Sequence, residues 1–274
     1  MMYRPDLHLH TTASDGLYTP REVMDLAIEA NLNLIAITDH DGIDGLAGLE
    51  KREGLTVIPG VELSASCGVG SVHILGYGID PGHARFKVYS KALNEERTRR
   101  AREMIAALQA MGIDIGVNDL EAEPSETIGR PHIARALIKK GIVRDLREAF
   151  AKYLAPGRPA YVKRDPKNPS DVIRLLRECG AVPVLAHPGL MKADELTLSA
   201  LLDMWQDAGL RGMEVYHQAN EPCGLYEKMA RARGLMVTGG SDFHGDDSHG
   251  WVGKMLPEWK NAHEDALILL DALK

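Results

Sequence analysis

Short apolar runs alternate with amphipathic stretches over most of the chain. Residues 34–37 (LIAI) form a continuous apolar run, and comparable runs recur in LTVIPGVELSA, AVPVLAHPG, GMEVYHQ and LMVTGGSDFHG. Such runs are typical of strands that are buried on both faces of a parallel sheet. The opening DLHLH differs, because polar and apolar residues alternate in it with the period of an extended strand. The pattern therefore predicts a series of short strands.

Helical patterns lie between these runs. YTPREVMDLAIEANL predicts a helix with Thr19 as its cap, a proline at the first helical position and Glu22 completing a capping box. PSDVIRLLRECG predicts another helix, capped by Ser170 and stopped by Gly180. Strand and helix alternate, with polar residues at the C-terminal strand ends. This layout predicts a parallel α/β barrel whose site lies at that face.

Residues 81–165 break the alternation. The segment contains the charged stretch ALNEERTRRAREMIAALQAMGI and the shorter RPHIARALIKKG and DLREAFAKYL, all rich in helix formers. We therefore predict a barrel formed by residues 1–80 and 166–274. Residues 81–165 would be an inserted, mainly helical subdomain that caps the substrate.

Composition and charge exclude several classes of protein. The chain has 274 residues and a net charge of −7, so neither a broad nucleic-acid surface nor binding to duplex DNA is expected. Its three cysteines form no CxxC pair, which predicts reduced thiols and a cytoplasmic location. The N-terminus lacks the apolar core of a signal peptide, and no apolar run approaches ~18 residues, so no membrane span is expected.

Ionisable side chains recur where the predicted strands end. Alternation places Asp6, His8 and His10 on one face of the first strand. A lone H-x-H pair is usually the solvated face of an edge strand, but the same feature returns along the chain. The candidates are His8, His10, Asp15, His40, Glu62, His73, His187, Asp242 and His244.

A metal cluster is the physical arrangement that makes so many ionisable groups tolerable at one end of a barrel. Unpaired charge is costly to bury, and divalent ions would pair with these groups. Imidazoles and carboxylates without cysteine suit Zn²⁺, Mn²⁺ or Fe²⁺ better than Ca²⁺ or Mg²⁺. The sequence therefore predicts a site for divalent transition metals.

The motifs DLHLHTTASDG, ITDHDG, GVELS, VHILGYG, LAHPG and GGSDFHG together resemble the PHP (polymerase and histidinol phosphatase) family of metal-dependent phosphoesterases. They occur in that family's order between residues 6 and 245. The inserted GRPHIARAL and YLAPGRPAYV are similar to the group of nucleoside 3′,5′-bisphosphate phosphatases and 5′–3′ exoribonucleases. The resemblance implies a distorted (β/α)7 barrel, which agrees with the strand and helix pattern.

The resemblance also implies three metal ions. The first would be held by His8, His10, Glu62 and Asp242. The second would be held by Glu62 together with His73 and His187. The third would be held by Asp15, His40 and His244. Mn²⁺ is the expected metal, with Fe or Zn as alternatives, and Asp6 would accept a hydrogen bond from a ligand imidazole and fix its tautomer.

Hydrolysis in such a site would use a metal-bound hydroxide. No protein nucleophile is expected, since the chain has neither a G-x-S-x-G nor a P-loop pattern. Positive side chains are needed for the phosphates, and arginine suits them best. The candidates are Arg130, His132, Arg135, Arg100 and Lys163. For most members of RTRRAR the alternative is a solvated helix face.

The function that these features favour is removal of a phosphate from nucleoside 3′,5′-bisphosphates, together with 5′–3′ exonuclease action on short RNA. The expected partner is thus a small phosphorylated nucleotide or a short RNA. Two alternatives are a histidinol-phosphate phosphatase, whose cationic substrate favours acidic groups near the site, and a scaffold that binds metal without catalysis. The preferred base, the general acid, the oligomeric state and protein partners are not determined by the sequence.

Overall fold

The computed structural model describes residues 2–47, 49–120, 128–164, 167–246 and 250–274. The strands are β1 (Pro5–Leu9), β2 (Leu34–Ile37), β3 (Thr56–Cys67), β4 (Gly70–Tyr77), β5 (Val182–Leu185), β6 (Gly212–Tyr216) and β7 (Met236–Gly239). The α-helices are α1 (Pro20–Glu29), α2 (Ala84–Ala110), α3 (Arg130–Lys139), α4 (Leu146–Ala149), α5 (Pro169–Glu178), α6 (Glu195–Ala208), α7 (Gly224–Ala232) and α8 (Ala262–Ala272).

The seven strands form one sheet in chain order, and the sheet nearly closes into a barrel. Strands β1 to β3 are parallel to one another, as are β5 to β7. A bridge between Leu9 and Phe243 joins the two edges, and the backbone N–H of His10 donates to the carbonyl of Phe243 at 3.0 Å. The predicted barrel of seven strands is confirmed.

One strand departs from the predicted parallel arrangement. Strand β4 runs antiparallel to both β3 and β5. The reason is the connection after β3, which consists of Gly68 and Val69 alone, whereas a parallel return needs a crossover of a dozen or more residues. The prediction of an entirely parallel barrel was therefore wrong at β4.

The local signals for helix ends hold at α1 and fail by two residues at α5. Thr19 and Glu22 form the predicted capping box at α1. At α5 the cap is Asn168, whose side chain accepts from the backbone N–H of Ser170, so the prediction of Ser170 as cap was wrong. Proline occupies the first helical position in both helices, which places the cap directly before it.

Apolar side chains of the strands pack against the surrounding helices. The largest hydrophobic cluster includes Leu7 of β1, Tyr77 of β4 and Trp205 of α6, and a neighbouring cluster packs Leu9 against Val23 of α1. Because strand side chains alternate, Asp6 and His8 of β1 lie on the face opposite Leu7 and Leu9.

The predicted insertion is mainly helical in its described residues. It has its own hydrophobic cluster, which extends from Ala101 to Ala160, whereas Phe86 and Leu93 in the first half of α2 belong to the barrel cluster. The predicted boundary at 165–166 lies outside the described residues, so the division into two units stays a prediction. Within the described ranges, no helix is both long and apolar enough to cross a membrane.

Gly240, directly after β7, lies where the barrel closes. We predict that a side chain at this position strongly destabilises the fold. A Cβ atom there would lie 2.4 Å from the Cβ of His8 and 2.6 Å from its backbone N. We expect Gly240→Ala to push β1 away and to cost about 1–3 kcal/mol or more of unfolding free energy. Chemical denaturation measures this. Gly224→Ala is the control, because no atom lies within 4 Å of its added Cβ, and equal stability of both variants would contradict the packing argument.

Candidate metal centre

The structure brings the nine predicted metal ligands together at one end of the barrel. Donor atoms of eight of them, all except His187, form three overlapping groups, and within each group the atoms lie within 4.8 Å of one another. One group is His8, His10, Glu62 and Asp242. Another is His10, Asp15, His40 and His244. The last is His40, Glu62 and His73.

Glu62 is at the centre of this arrangement. Its Oε2 lies 2.9 Å from Nδ1 of His40 and 3.3 Å from Nε2 of both His8 and His10. Its Oε1 lies 2.8 Å from Nδ1 of His73 and from Nε2 of His187. One buried carboxylate therefore contacts five imidazoles.

The reversed strand explains how His73 reaches the site. In a parallel strand a residue near the start would lie at the far end of the barrel. In β4, which is antiparallel, His73 lies opposite Ser64 of β3, and its carbonyl accepts from the backbone N–H of Ala186 at 3.0 Å. His73 is therefore beside His187.

The grouping of ligands differs in two respects from the one that the family resemblance implies. His187 contacts Glu62 as expected, but it lies outside the compact group of His40, Glu62 and His73. His10 and His40 each belong to two groups, and so they lie between neighbouring positions. The assignment of ligands to individual ions stays a prediction.

The donor set fits divalent cations. Buried nitrogen and oxygen atoms without a hydrogen-bond partner concentrate here, namely Nε2 of His8, both ring nitrogens of His10, Nδ1 of His40, Oδ1 of Asp15 and Oε2 of Glu62. Buried polar atoms normally find partners, so such a concentration indicates a ligand. Donors that bind one ion at about 2.1 Å lie roughly 3.0–3.5 Å apart, which matches the 3.3 Å from Oε2 of Glu62 to Nε2 of His8 and of His10.

Neighbouring opposite charges within the ligand cluster counteract the effect of burial on the pKa values of its members. Burial lowers the pKa of His8 and His10, but Glu62 and Asp242 reverse this; they raise the pKa of His10 to about 9 and, with Glu214, that of His8 well above its ordinary value. Burial would raise the pKa of the Glu62 carboxyl. The neighbouring imidazoles, of which His40 has the largest effect, instead hold this pKa well below its ordinary value. Metal binding must displace protons from His8 and His10, so affinity rises with pH.

Glu214 of β6 is a residue that the sequence analysis missed. It is fully buried; its Oε1 lies 3.0 Å from Nδ1 of His8, and its Oε2 accepts from the backbone N–H of His187 at 2.8 Å. Such a carboxylate fixes the orientation of a ligand imidazole. The available signal was a single glutamate in the otherwise apolar GMEVY.

Asp6 does not have the predicted role. Its carboxylate accepts from the backbone N–H groups of Gly253 (2.7 Å) and Ser241 (2.9 Å), from the Ser241 hydroxyl (2.7 Å) and, at 3.4 Å, from the backbone N–H of His8. These donors satisfy the carboxylate, and the prediction that it orients a ligand imidazole was wrong. Asp6 instead ties β1 to the segment after β7.

The loop that carries Asp15 is shaped by Asp39. The Asp39 carboxylate accepts from the backbone N–H and the hydroxyl of Thr11, at 2.8 and 2.7 Å, and from the hydroxyl of Ser14 at 2.6 Å. Because all three donors lie in the turn before Asp15, this buried carboxylate fixes how that ligand is presented.

A cavity of about 1030 Å³ extends from the ligands to the insertion. Besides several of the ligands, its walls carry seven positive side chains: Arg97, Arg100, Arg130, Arg147, Lys163, Arg164 and Lys167. Three of them, Arg100, Arg130 and Lys163, are among the predicted phosphate contacts. The other four, Arg97, Arg147, Arg164 and Lys167, were not predicted from the sequence.

Two predicted phosphate contacts are used differently. Nδ1 of His132 accepts from the backbone N–H of Gly129 at 3.0 Å and so caps α3. Arg135 donates from Nη2 to the carbonyl of Asp15 at 2.6 Å and lies 3.7 Å from Asp246. Neither side chain lines the cavity. Arg135 thus joins the insertion to the loop that carries Asp15, and the roles of His132 and Arg135 in substrate binding stay predictions.

Comparison with known proteins agrees with this site. The PHP domain family model matches residues 6–128. A 3′,5′-nucleoside bisphosphate phosphatase from Chromobacterium violaceum is 38% identical over 247 residues, which cover 87% of this chain and 86% of that protein. The 5′–3′ exoribonuclease Rnm of Escherichia coli is 33% identical over 249 residues, covering 87% and 84%.

A solved structure agrees as well. A protein from Bifidobacterium adolescentis, described as a metal-dependent phosphoesterase, superimposes with a TM-score of 0.88 at 30% identity. The match covers 98% of this chain and 96% of that one. The barrel and its insertion are thus similar to that protein over nearly their whole length.

We predict that Glu214→Gln weakens metal binding about 10- to 100-fold, because the carboxylate that orients His8 is lost. Calorimetric titration of the metal-depleted protein with Mn²⁺ measures the affinity, and thermal unfolding checks the fold. Glu227→Gln is the control, since Glu227 contacts Arg231 on the surface of α7. An affinity for Mn²⁺ equal to that of the wild type would show that Glu214 does not support the ligands.

Proposed function

The chain belongs to the PHP domain family, and from this membership and the site we propose that it hydrolyses nucleoside 3′,5′-bisphosphates and acts 5′–3′ on short RNA. It is a metal-dependent phosphoric ester hydrolase. The observation that carries the proposal is the joining of two features in one cavity, a metal-binding carboxylate–imidazole cluster and a wall of seven positive side chains. The first suits a reacting phosphate and the second a further phosphate.

We propose three divalent ions per chain, with Mn²⁺ as the metal in use and Fe or Zn as alternatives. Three overlapping donor groups support this number. Bound ions would supply the nucleophile by lowering the pKa of a water molecule, and would neutralise charge on the phosphoryl oxygens.

The positive wall is the contribution of this chain to substrate binding. Burial, and after it the like charge of the neighbouring guanidiniums of Arg164, Arg130 and Arg97, lowers the pKa of Arg100 to about 10. Such a lowered pKa reflects crowding of like charges, which an anion between them relieves. We therefore propose that residues 81–165 cap the substrate through these side chains.

The two alternative functions are less well supported. A histidinol phosphate is an amine and would favour acidic groups, whereas the cavity beside the ligands is rich in arginine. The relatives matched over most of the chain are named for nucleotide and RNA substrates. A scaffold without catalysis would not need a complete set of nine ligands.

We propose a cytoplasmic location, and the free thiols support it. Cys67, Cys179 and Cys223 are all free in the structure, as expected in a reducing compartment.

A phosphate-release screen with added Mn²⁺ tests the function. Its substrates are adenosine 3′,5′-bisphosphate, both adenosine monophosphates, short 5′-phosphorylated RNA and histidinol phosphate. We expect the bisphosphate to be hydrolysed with the highest kcat/KM and chelation to abolish turnover until Mn²⁺ is restored. Preference for histidinol phosphate, or activity that survives chelation, would overturn the proposal.

Arg130 provides a test of substrate recognition. Its guanidinium lies 5.4 Å above the ring of Phe150 at the cavity wall. We predict that Arg130→Ala lowers kcat/KM for the bisphosphate by about tenfold to a hundredfold, because one charge-assisted hydrogen bond is worth roughly 1.5–3 kcal/mol. An aryl monophosphate should lose much less. Arg144→Ala, an exposed arginine of the same insertion, is the control, and equal losses on both substrates would place Arg130 at the reacting phosphate.

A further inference from the structure

Asp41 is a fully buried carboxylate where the barrel meets the insertion. Its Oδ1 accepts from the backbone N–H of Ser64 at 2.8 Å. Its Oδ2 accepts from Nε of Arg97 at 2.6 Å, from Nη2 of Arg164 at 2.8 Å and from the Ser64 hydroxyl at 3.2 Å. One carboxylate thus joins β3 to two arginines that are 67 residues apart in sequence, one on α2 and one after α4.

The backbone of Asp41 is fixed to the metal centre. Asp41 directly follows His40, and its N–H donates to the carbonyl of Glu62 at 2.9 Å. Its φ of 56° lies in the left-handed region, which aspartate adopts more readily than most residues. The carbonyl of Asp41 accepts from the hydroxyl of Ser90 on α2 at 3.0 Å. The carboxylate therefore has a set position relative to the ligands.

Both arginines keep donors for another partner. Nε of Arg164 is buried without a hydrogen-bond partner, although its Nη2 contacts Asp41. Nη1 of Arg97 lies on the side of the metal centre, since a Cβ added at Gly129 would be 3.4 Å from it and 3.8 Å from Oδ2 of Asp15. Both side chains line the cavity. Asp41 therefore occupies one edge of each guanidinium and leaves the rest of it for a ligand.

Long arginine side chains lose considerable rotamer freedom when they are ordered. A substrate that had to order both would bind more weakly, whereas a preorganised pair loses little freedom on binding. The side chains of Arg97 and Arg164 are only 10% and 20% exposed, and Asp41 is their shared anchor. The pair is thus ordered in the absence of substrate.

We propose that Asp41 is a positioning residue that holds Arg97 and Arg164 in place to bind the phosphate of the substrate that is not hydrolysed. This inference rests on the proposed function. Asp41 itself contacts no substrate; it sets how strongly the enzyme prefers a bisphosphate over a monophosphate.

The test compares Asp41→Asn with the wild type by the ratio of kcat/KM for adenosine 3′,5′-bisphosphate to that for nitrophenyl phosphate. We expect the ratio to fall by about tenfold to a hundredfold, chiefly through KM for the bisphosphate. The matched control is Asp265→Asn, which breaks another buried aspartate–arginine contact, with Arg231, away from the cavity. Its ratio should equal that of the wild type even though its stability falls.

A second comparison shows whether Asp41 acts through the arginines. Adding D41N to an R97Q/R164Q double variant should lower the ratio no further, because coupled residues are not additive. Binding without turnover is measured as the rise in the thermal unfolding midpoint that the bisphosphate causes in metal-depleted protein, and D41N should reduce this rise.

If D41N fails to fold, Ser64→Ala, which removes a donor to Asp41, takes its place. This variant should lower the ratio of kcat/KM values several-fold.

An unchanged ratio in D41N, or a further full loss in the triple variant, would overturn the positioning role. An unchanged ratio in Ser64→Ala would overturn it where D41N does not fold. A wild-type enzyme without preference for the bisphosphate would instead overturn the proposed function.

Discussion

The site depends on one interaction, the contact of the Glu62 carboxylate with five imidazoles. Glu62 is buried with both oxygens 2.8–3.3 Å from ring nitrogens, and several of these nitrogens have no hydrogen-bond partner. Two neighbouring carboxylates, Asp242 and Asp15, are also buried, so the cluster concentrates charge away from solvent. Removing any partner would leave buried charge uncompensated, which is strongly destabilising. Divalent cations satisfy the carboxylates and the imidazoles together.

The rest of the molecule supplies what Glu62 requires. The barrel brings strand ends together, and the reversal of β4 turns His73 toward the same end as His187. The insertion adds arginines opposite the ligands, with Asp41 joining the two parts. The candidate metal ligands and the positive side chains proposed to bind phosphate therefore face one cavity, an arrangement that suits phosphoester hydrolysis.

Much of this arrangement could be predicted from the sequence. Polar residues at or near the ends of short apolar runs, together with His73 inside one, gave nine candidate ligands, and the structure places these side chains at one end of the barrel. The direction of β4 could not be read from periodicity alone. Asp6 and Glu214 were equally ambiguous, since which buried carboxylate meets an imidazole depends on strand register. Arg97 lies in RTRRAR, whose pattern is also that of a solvated face, and only the packing of α2 shows which side borders the cavity.

Metal stoichiometry tests the central role of Glu62 most directly. Inductively coupled plasma mass spectrometry of protein purified with Mn²⁺ present would give the number of ions per chain, for the wild type and for Glu62→Gln. Our account predicts about three ions in the wild type and loss of most of them in the variant, because Glu62 contributes to two of the three donor groups. Absence of bound metal from the wild type, or an unchanged count in the folded variant, would contradict it.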